Sequence, residues 1–247
     1  MYRADYHIHS SFSEDSIEPV DNICKKAISL GLNEIAITDH LEFCKNRAYN
    51  AEIDLHNLFL EIEEYKQKYK DKLVIKQGLE IGQPYLNLQE YNEYAKLYSP
   101  DFIIGSVHTN RDEINYGAFN FSQVDCYELY REYLKDLLLY ATYYDFDTLG
   151  HLTYPLRYMF MRNKITIDLD LFEKEFINLF EVLRERKKGI EVNTSGYRLF
   201  QQPLPNYKIL ELYKKCGCDI LTTGSDSHSA EFLGYEFEDT YKRLVEL

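Results

Sequence analysis

The sequence predicts an α/β fold, a barrel of seven β/α units within a single domain that spans residues 1–247. Short β-branched, apolar runs alternate with longer segments of helical period, a pattern typical of parallel strands joined by crossover helices. The chain has 247 residues, a length that one barrel can fill. No Ser/Gly-rich linker and no internal repeat divides it. We therefore expect one domain.

Seven brief, mostly apolar runs are the candidate strands. In order they are residues 3–7, 34–38, 73–79, 102–107, 147–151, 189–193 and 220–223. Between them, apolar residues in the segments 55–69 and 171–183 recur at three- and four-residue spacing, which gives each segment the single apolar stripe of a helix. Residues 43–50 and 198–205 lack such a period, and we expect them to be loops over the barrel mouth.

The composition limits the classes of partner. The formal net charge is −13 and no compact basic stripe is visible, so we expect no nucleic-acid binding. The five scattered cysteines, Cys24, Cys44, Cys126, Cys216 and Cys218, predict free, buried thiols in a reducing compartment. The first residues lack the apolar core of a signal peptide, and no run approaches the ~18 apolar residues of a membrane span. We expect a cytoplasmic protein without a membrane partner, and its oligomeric state stays open.

Six of the seven histidines lie at or just beyond the carboxyl end of a predicted strand. They are His7, His9, His40, His108, His151 and His228. In a barrel of parallel strands these ends meet at one face, where side chains from distant parts of the sequence converge. The seventh, His56, falls in a predicted helix, and we interpret it as a solvated helix residue.

The residues around these histidines indicate a metal site. His7 and His9 are two positions apart, which places both imidazoles on the same side of an extended strand, as ligands of one cation require. Glu80 ends the third strand, between two histidine-bearing strands, and is the candidate for a carboxylate that bridges two ions. Mixed imidazole and carboxylate ligands suit zinc, manganese or iron, whereas all-oxygen sets suit magnesium or calcium.

The motifs His-x-His, Thr-Asp-His and Gly-Ser-Asp-Ser-His follow one another on successive strand ends, at residues 7–9, 38–40 and 224–228. In this combination the chain resembles the polymerase and histidinol phosphatase superfamily, and within it the histidinol-phosphate phosphatases of the histidine pathway. The likeness spans essentially the whole chain. It implies a distorted, TIM-like (β/α)7 barrel with a trinuclear centre, in which two or three divalent ions (zinc, manganese or iron) are bound.

The resemblance also implies which side chains hold the ions. The ligands fall into three sets, one for each ion: His7, His9, Glu80 and Asp226; Glu80, His108 and His151; and Asp15, His40 and His228. Asp15 stands where some branches of the family carry a histidine. An alternative interpretation of Asp15, as a capping residue ahead of the first helix, stays open because aspartate is favoured at such positions.

Two arginines follow strand ends by several residues, in positions that match the phosphate-binding arginines of the resembled family. They are Arg157 and Arg198, and a planar guanidinium offers two parallel donors to phosphate oxygens. Arg162 lies close enough in sequence to take the place of Arg157. Glu42 follows the Thr-Asp-His motif, and we interpret it either as a partner for a substrate ammonium group or as a solvated loop acid.

The activity that the resemblance implies is hydrolysis of a small phosphate monoester, L-histidinol phosphate, to L-histidinol and phosphate. A hydroxide bridging two ions would attack phosphorus in line, and the two arginines would stabilise the developing charge. The leaving alkoxide needs a proton or a metal ion, and Asp226 and His228 are the candidates among the predicted ligands.

Three alternatives remain. A related phosphatase could act on phosphotyrosine or nucleotides, but the phosphotyrosine relatives carry paired acids and then Gly-Pro where this chain has residues 13–17. Metal-dependent amidohydrolases also begin with His-x-His, but they place a bridging lysine where this chain has Glu80. The third alternative is a metal-binding module without turnover, which measured hydrolysis of any phosphomonoester would exclude.

Overall fold

A computed structural model describes residues 2–44 and 53–247. In these residues one parallel sheet forms the centre of the fold. Its strands are β1 (Ala4–Asp5), β2 (Glu34–Ile37), β3 (His40–Glu42), β4 (Val74–Gly82), β5 (Phe102–Ser106), β6 (Thr148–Leu149), β7 (Gly189–Asn193) and β8 (Leu221–Gly224). The strand order is β1-β2-β4-β5-β6-β7-β8, and β3 also pairs with β4.

The eight strands occupy seven positions around a nearly closed barrel. β2 pairs with residues 74–77 of β4, and β3 pairs with residues 80–82 of the same strand, so β3 continues the line of β2 after a break. The two edges meet through irregular pairing, since the Tyr6 amide donates to the Thr223 carbonyl at 2.9 Å and Ile8 bridges Ser227 in parallel. The predicted seven-stranded α/β barrel is confirmed.

Helices follow the strands and cover the outside of the barrel. In the described residues they are α1 (Val20–Ser29), α2 (Leu55–Tyr69), α3 (Leu88–Leu97), α4 (Cys126–Tyr143), α5 (Tyr154–Asn163), α6 (Glu173–Arg186), α7 (Tyr197–Phe200), α8 (Tyr207–Lys215) and α9 (Phe237–Glu246). The predicted apolar stripe of α2 is the face that it buries, through Leu55, Leu58, Ile62 and Tyr69. His56 lies in α2, as expected. None of these helices has the length and apolar character needed to cross a membrane.

Large aromatic side chains fill the space between helices and barrel. Tyr130 and Tyr133 of α4 and Phe176 and Phe180 of α6 are almost completely buried. Full burial of such a side chain stabilises the fold by about 1.5–3 kcal/mol, which makes this helical layer a major part of the core. None of the five cysteines forms a disulfide bond in the described residues, and four of them are buried.

Several boundaries differ from the prediction. β4 runs three residues beyond the predicted end, because Glu80 pairs in register with His40 of the unpredicted strand β3. β1 and β6 have only two residues each, since the polar residues that follow them leave the regular ladder. Residues 198–205 do not form a simple loop: α7 occupies the first part, and Leu204 pairs with Asn193. Of the predicted loop at 43–50, residues 45–50 lie outside the described residues.

Candidate metal centre

Polar side chains with almost no solvent exposure collect at the carboxyl end of the barrel. The innermost are His7, His9, Glu80, His151 and Asp226, each 6% exposed or less. They come from the ends of four different strands, so their proximity is produced by the barrel and not by the chain order. This is the face at which the histidines were expected to meet.

The first strand end presents its two histidines because Asp5 holds the backbone there. The buried Asp5 carboxylate accepts from the Ser225 amide at 2.9 Å and from the Gly234 amide at 3.0 Å, which joins the end of β1 to the segment after β8. Burial raises the pKa of Asp5 to about 6. Beyond this anchor, His7 and His9 project into the cluster with ring centroids 5.0 Å apart.

Glu80 occupies the centre of the cluster. One oxygen, Oε1, lies 2.8 Å from His151 Nε2 and 3.2 Å from His108 Nε2. The other, Oε2, lies 2.9 Å from His40 Nδ1, 3.3 Å from His7 Nε2 and 3.6 Å from His9 Nε2. A carboxylate whose two oxygens face different sets of imidazoles has the geometry of a ligand shared between ions.

Asp226 lies opposite Glu80 across the two inner histidines. Its Oδ1 is 3.9 Å from His7 Nε2 and 3.7 Å from His9 Nε2. Asp226 adopts a left-handed backbone conformation with φ 51°, which is costly for a residue other than glycine and is found mainly where function requires it. The turn after β8 therefore aims this carboxylate inward at the expense of backbone strain.

A more open group of side chains lies towards solvent. His228 Nε2 is 3.0 Å and His40 Nε2 is 3.6 Å from Asp15 Oδ2, and the His9 ring stacks between the two outer imidazoles at 4.1 and 4.2 Å. Asp15 does not cap the first helix, since α1 begins after Pro19 without a side-chain cap. The capping interpretation of Asp15 is therefore wrong, and the structure places Asp15 beside the expected partners.

The donor atoms fit divalent ions. Four groups of His, Asp and Glu atoms lie within 4.8 Å of one another: His7, His9 and Asp226; His7, Glu80 and His151; His40, Glu80 and His108; and His9, Asp15, His40 and His228. Several inward atoms, including His7 Nε2, His9 Nε2 and Glu80 Oε2, are buried without a hydrogen-bond partner. Buried polar atoms normally have partners, and a cation bound at these positions would supply them. The nine expected ligands all belong to this cluster.

Electrostatics also favours cations. Burial alone would lower the pKa of His7, yet Glu191 and Glu80 raise it well above the ordinary value. Burial, together with His40 and His228, holds the pKa of His9 well below the ordinary value. Burial opposes ionisation of Glu80, but His7 and the other imidazoles hold its pKa well below the usual range. The carboxylates of this site favour positive charge, which metal ions could supply in place of protons.

Two further carboxylates, those of Glu191 and Glu42, each contact the Nδ1 atom of a histidine in the cluster. Glu191 Oε1 is 2.7 Å from His7 Nδ1, and its Oε2 accepts from the His151 amide at 2.7 Å. Glu42 Oε1 is 2.6 Å from His108 Nδ1, and its Oε2 accepts from Gln83 Nε2 at 2.7 Å. A carboxylate on one ring nitrogen fixes the tautomer and directs the other nitrogen to the metal.

The position of Glu42 changes its interpretation. Both of its oxygens are already engaged, by His108 and Gln83, and its side chain is only 12% exposed. Glu42 is therefore not a solvated loop acid, and a substrate ammonium group could pair with it only by sharing oxygens that already contact His108 and Gln83. We assign it instead to the support of His108.

The two predicted arginines lie beside Asp226. Arg157 donates to Asp226 Oδ2 at 3.0 Å and to Ser195 Oγ, while Arg198 donates to the Ser225 carbonyl at 3.4 Å. Asp226 raises the pKa of Arg157 although burial opposes this, so the guanidinium is charged. Arg162 is exposed on α5 and does not share this position.

A cavity of about 270 Å³ opens onto the outer side of the cluster. His40, His108 and Asp15 form its polar floor, and the side chains around it are a mixture of aromatic, aliphatic and polar groups. Tyr154 connects the cavity to the inner cluster, since its ring lies 4.6 Å from that of His151. The cavity can accept a small molecule whose reacting group reaches the metal ligands.

A model of one protein family, described as the PHP domain, matches residues 5–195 of the chain. This match covers more than half of the chain and includes the ends of the strands β1 to β7. The chain belongs to the PHP domain family. The likeness that the histidine motifs suggested is thereby confirmed.

Similar proteins include a histidinol-phosphatase and a probable histidinol-phosphatase. The histidinol-phosphatase of Lactococcus lactis is 35% identical over 94% of this chain and 86% of its own length. A probable histidinol-phosphatase of Thermotoga maritima is 28% identical over 97% of this chain and 90% of its own length.

Solved structures agree with the sequence comparison. Histidinol phosphate phosphatase from Lactococcus lactis, solved with zinc, L-histidinol and phosphate, matches with a TM-score of 0.80 and 32% identity over 92% of this chain and 87% of that chain. A putative histidinol phosphatase from Listeria monocytogenes has a TM-score of 0.82 over 96% of this chain and 99% of that chain. At 19% identity, the second likeness supports the PHP fold alone.

Sequence reasoning assigned no role to Glu191, and it did not predict that Glu42 contacts His108. Glu191 lies within β7 and Glu42 ends β3, but nothing in the local sequence says that each carboxylate contacts the Nδ1 atom of a histidine. The sequence feature that relates to the position of Glu191 is Gly224. A Cβ at that glycine would overlap Glu191 Oε1 and the Cβ of His7. A Cβ at Gly82 would likewise overlap the carboxylate of Glu42.

Proposed function

We infer that the protein is a metal-dependent phosphomonoesterase that hydrolyses L-histidinol phosphate to L-histidinol and phosphate, a step of histidine biosynthesis. The observation that carries this inference is the position of Glu80 among five histidines, with several donor atoms left unpartnered in a buried site. The 35% identical relative is a histidinol-phosphatase, and the 32% identical structure contains zinc, L-histidinol and phosphate.

We propose that the site holds two or three divalent ions, with zinc, manganese or iron as the candidates. The inner group around Glu80 would hold two of them, and Asp15, His40 and His228 would hold the third. Ions bound by these ligands act as Lewis acids on phosphoryl oxygens and lower the pKa of a coordinated water molecule. His228 and Asp15 are partly exposed, which favours weaker binding at the outer position.

The protein supplies the remaining chemistry through fixed charges. Arg157 and Arg198 would donate to phosphoryl oxygens and stabilise the charge that develops on them. Asp226 holds Arg157 in place, and His7 and Arg157 keep the pKa of Asp226 well below its usual range although burial opposes ionisation. For the proton that the leaving alkoxide takes up, Asp226 and His228 are the candidates.

A direct test combines metal analysis with substrate comparison. Metal ions per chain are counted on the purified protein, and phosphate release from L-histidinol phosphate and from p-nitrophenyl phosphate is measured before and after chelation. We expect loss of activity on chelation, recovery on adding back zinc or manganese, and a much larger kcat/KM for L-histidinol phosphate. Equal values for the two esters would contradict the assigned substrate, and full activity after complete chelation would contradict the metal-dependent mechanism.

The cellular compartment of the protein is proposed from its cysteines. None of the five cysteines forms a disulfide bond in the described residues, and scattered cysteines without disulfides suit a reducing compartment. We propose the cytoplasm, which fractionation of cells that express the protein would test.

A further inference from the structure

Among the described residues, three acidic side chains line the cavity beside the candidate metal centre: Glu14, Asp15 and Glu42. Two of them already have strong partners. Asp15 faces His40 and His228, and Glu42 is engaged by His108 and Gln83.

Glu14 differs from the other two. It is exposed, and among the residues that the structure describes no hydrogen bond or ion pair is recorded for its carboxylate. Its neighbour in the chain, Asp15, belongs to the outer group of ligands. Of the described acids in this cavity, Glu14 is therefore the uncommitted negative charge, and it is the neighbour in sequence of the candidate ligand Asp15.

The rest of the cavity suits a flat ring. Phe12, Ile53, Tyr154 and Tyr158 supply aromatic and aliphatic surface, and Asn115 adds an amide. Aromatic faces bind planar rings and attract cations. A ligand with a small heteroaromatic ring and a positive group matches both features of this wall.

We propose that Glu14 determines specificity by pairing with the ammonium group of the substrate. This inference rests on the proposed substrate, L-histidinol phosphate, whose ammonium-bearing carbon is adjacent to the carbon that carries the phosphate ester. With the phosphoryl group at the metal ligands, the ammonium group must lie near the inner end of the cavity, within reach of the segment that carries Glu14 and Asp15. The imidazole ring then lies against the aromatic wall.

The expected effect is moderate because Glu14 is exposed to solvent. Exposed ion pairs are weakened by water and salt, so Glu14→Gln should lower kcat/KM for L-histidinol phosphate by about twofold to fivefold. Glu14→Lys replaces attraction by repulsion and should lower it by about tenfold or more at low salt. The loss should appear mainly in KM, because the pair forms in the bound ground state and persists in the transition state.

The experiment uses the metal-loaded protein and two substrates that differ in one group. These are L-histidinol phosphate and 3-(imidazol-4-yl)propyl phosphate, which lacks the amine. The quantity measured is the ratio of their kcat/KM values in the wild type, in Glu14→Gln and in Glu14→Lys. Glu185→Gln is the matched control, because Glu185 is an exposed acid on α6, outside the cavity.

We expect the ratio of kcat/KM for L-histidinol phosphate to kcat/KM for the ester without the amine to fall in both Glu14 variants, and to fall further in the lysine variant. In Glu185→Gln this ratio should keep the wild-type value. A ratio that stays at the wild-type value in Glu14→Lys would overturn the proposal. If both substrates lose activity equally in the Glu14 variants, Glu14 does not recognise the ammonium group, and the proposal is overturned as well. Failure of the proposed function itself looks different, since the wild type would then not prefer L-histidinol phosphate to p-nitrophenyl phosphate.

Discussion

Glu191 contacts two members of the metal cluster at once. Its Oε1 holds the ring of His7 and its Oε2 accepts from the backbone amide of His151, at 2.7 Å in each case. Asn193 Nδ2 donates to the same Oε2 at 3.0 Å. This carboxylate therefore fixes a ring orientation and a backbone position together, and it is only 1% exposed.

We predict that Glu191→Gln weakens metal binding by about tenfold to a hundredfold, the usual effect of losing a partner that orients a ligand. The amide can still accept from His7 Nδ1, but its NH2 group then faces the donating amide of His151. Metal affinity is measured by competition with a chelator of known affinity. Glu181→Gln, an exposed acid on α6, is the control. An unchanged affinity in Glu191→Gln would show that His7 needs no support from this carboxylate.

The arginines allow a second prediction at this scale. Arg157→Ala should lower kcat/KM for the phosphate ester by about 10²-fold to 10³-fold, because it removes a charged donor from a buried site where charge develops. Arg162→Ala, five residues further along α5 and exposed, should change it by less than about twofold. Steady-state kinetics on the two metal-loaded variants measures both losses in kcat/KM. Equal losses would return Arg162 to consideration as the phosphate-binding residue.

At the scale of elements, the break between β2 and β3 positions His40. Thr38 Oγ1 accepts from the Ile8 amide at 3.0 Å, and the buried Asp39 accepts from Ser10 and Ser13. These bonds join the second strand to the first at the point where the ladder is interrupted. His40 then resumes pairing beside Glu80, which brings two ligands of different strands into register.

Two glycines allow strand ends to come close enough for the orienting carboxylates. We predict that Gly224→Ala destabilises the protein by about 1–3 kcal/mol, because the added methyl group would overlap Glu191 and the Cβ of His7. Gly82→Ala should act similarly through Glu42. Urea unfolding of the metal-free proteins measures the loss of stability, and metal titration measures the displacement of His7 or His108. Wild-type behaviour of both variants would mean that these carboxylates can move without cost.

At the scale of the whole molecule, we expect metal binding to stabilise the folded state. The cluster brings carboxylates and imidazoles from distant parts of the chain into one buried site, and only the folded protein presents them together. We predict that free zinc or manganese at 100 times the dissociation constant raises Tm by about 5 to 10 °C relative to the chelated protein. Differential scanning calorimetry with and without metal tests this. A Tm that does not depend on metal would contradict binding by the folded site.

The thiols provide a further test of the whole fold. Burial raises the pKa of Cys24 to about 12 and the pKa values of Cys44 and Cys218 to about 11, so these thiols are protonated and shielded at pH 8. In the native protein we expect rapid reaction of at most one thiol with Ellman's reagent, that of the partly exposed Cys216. All five should react in denaturant. Rapid labelling of three or more in the native protein would indicate a looser core.

The predicted ligands were accessible from sequence because each lies beside a strand end, and the ends of parallel strands meet at one face. Local residues could not reveal which atoms Glu42 and Glu191 contact, since their partners lie 66 and 184 positions away in the chain. The strand β3 was missed for a related reason. It has three residues, and its pairing with β4 is what stabilises it.

The sequence by itself determined the fold class, the family likeness and the set of side chains that come together in the candidate metal centre. Alternation of strands and helices and the placement of histidines are periodic, local properties of a chain, and they can be read without coordinates. Tertiary structure alone decided that Asp15 faces His40 and His228, that Glu42 supports His108 and that Glu14 is left uncommitted. The physical reason is that a carboxylate takes its role from the charges and donors around it, and in a barrel those neighbours come from other strands.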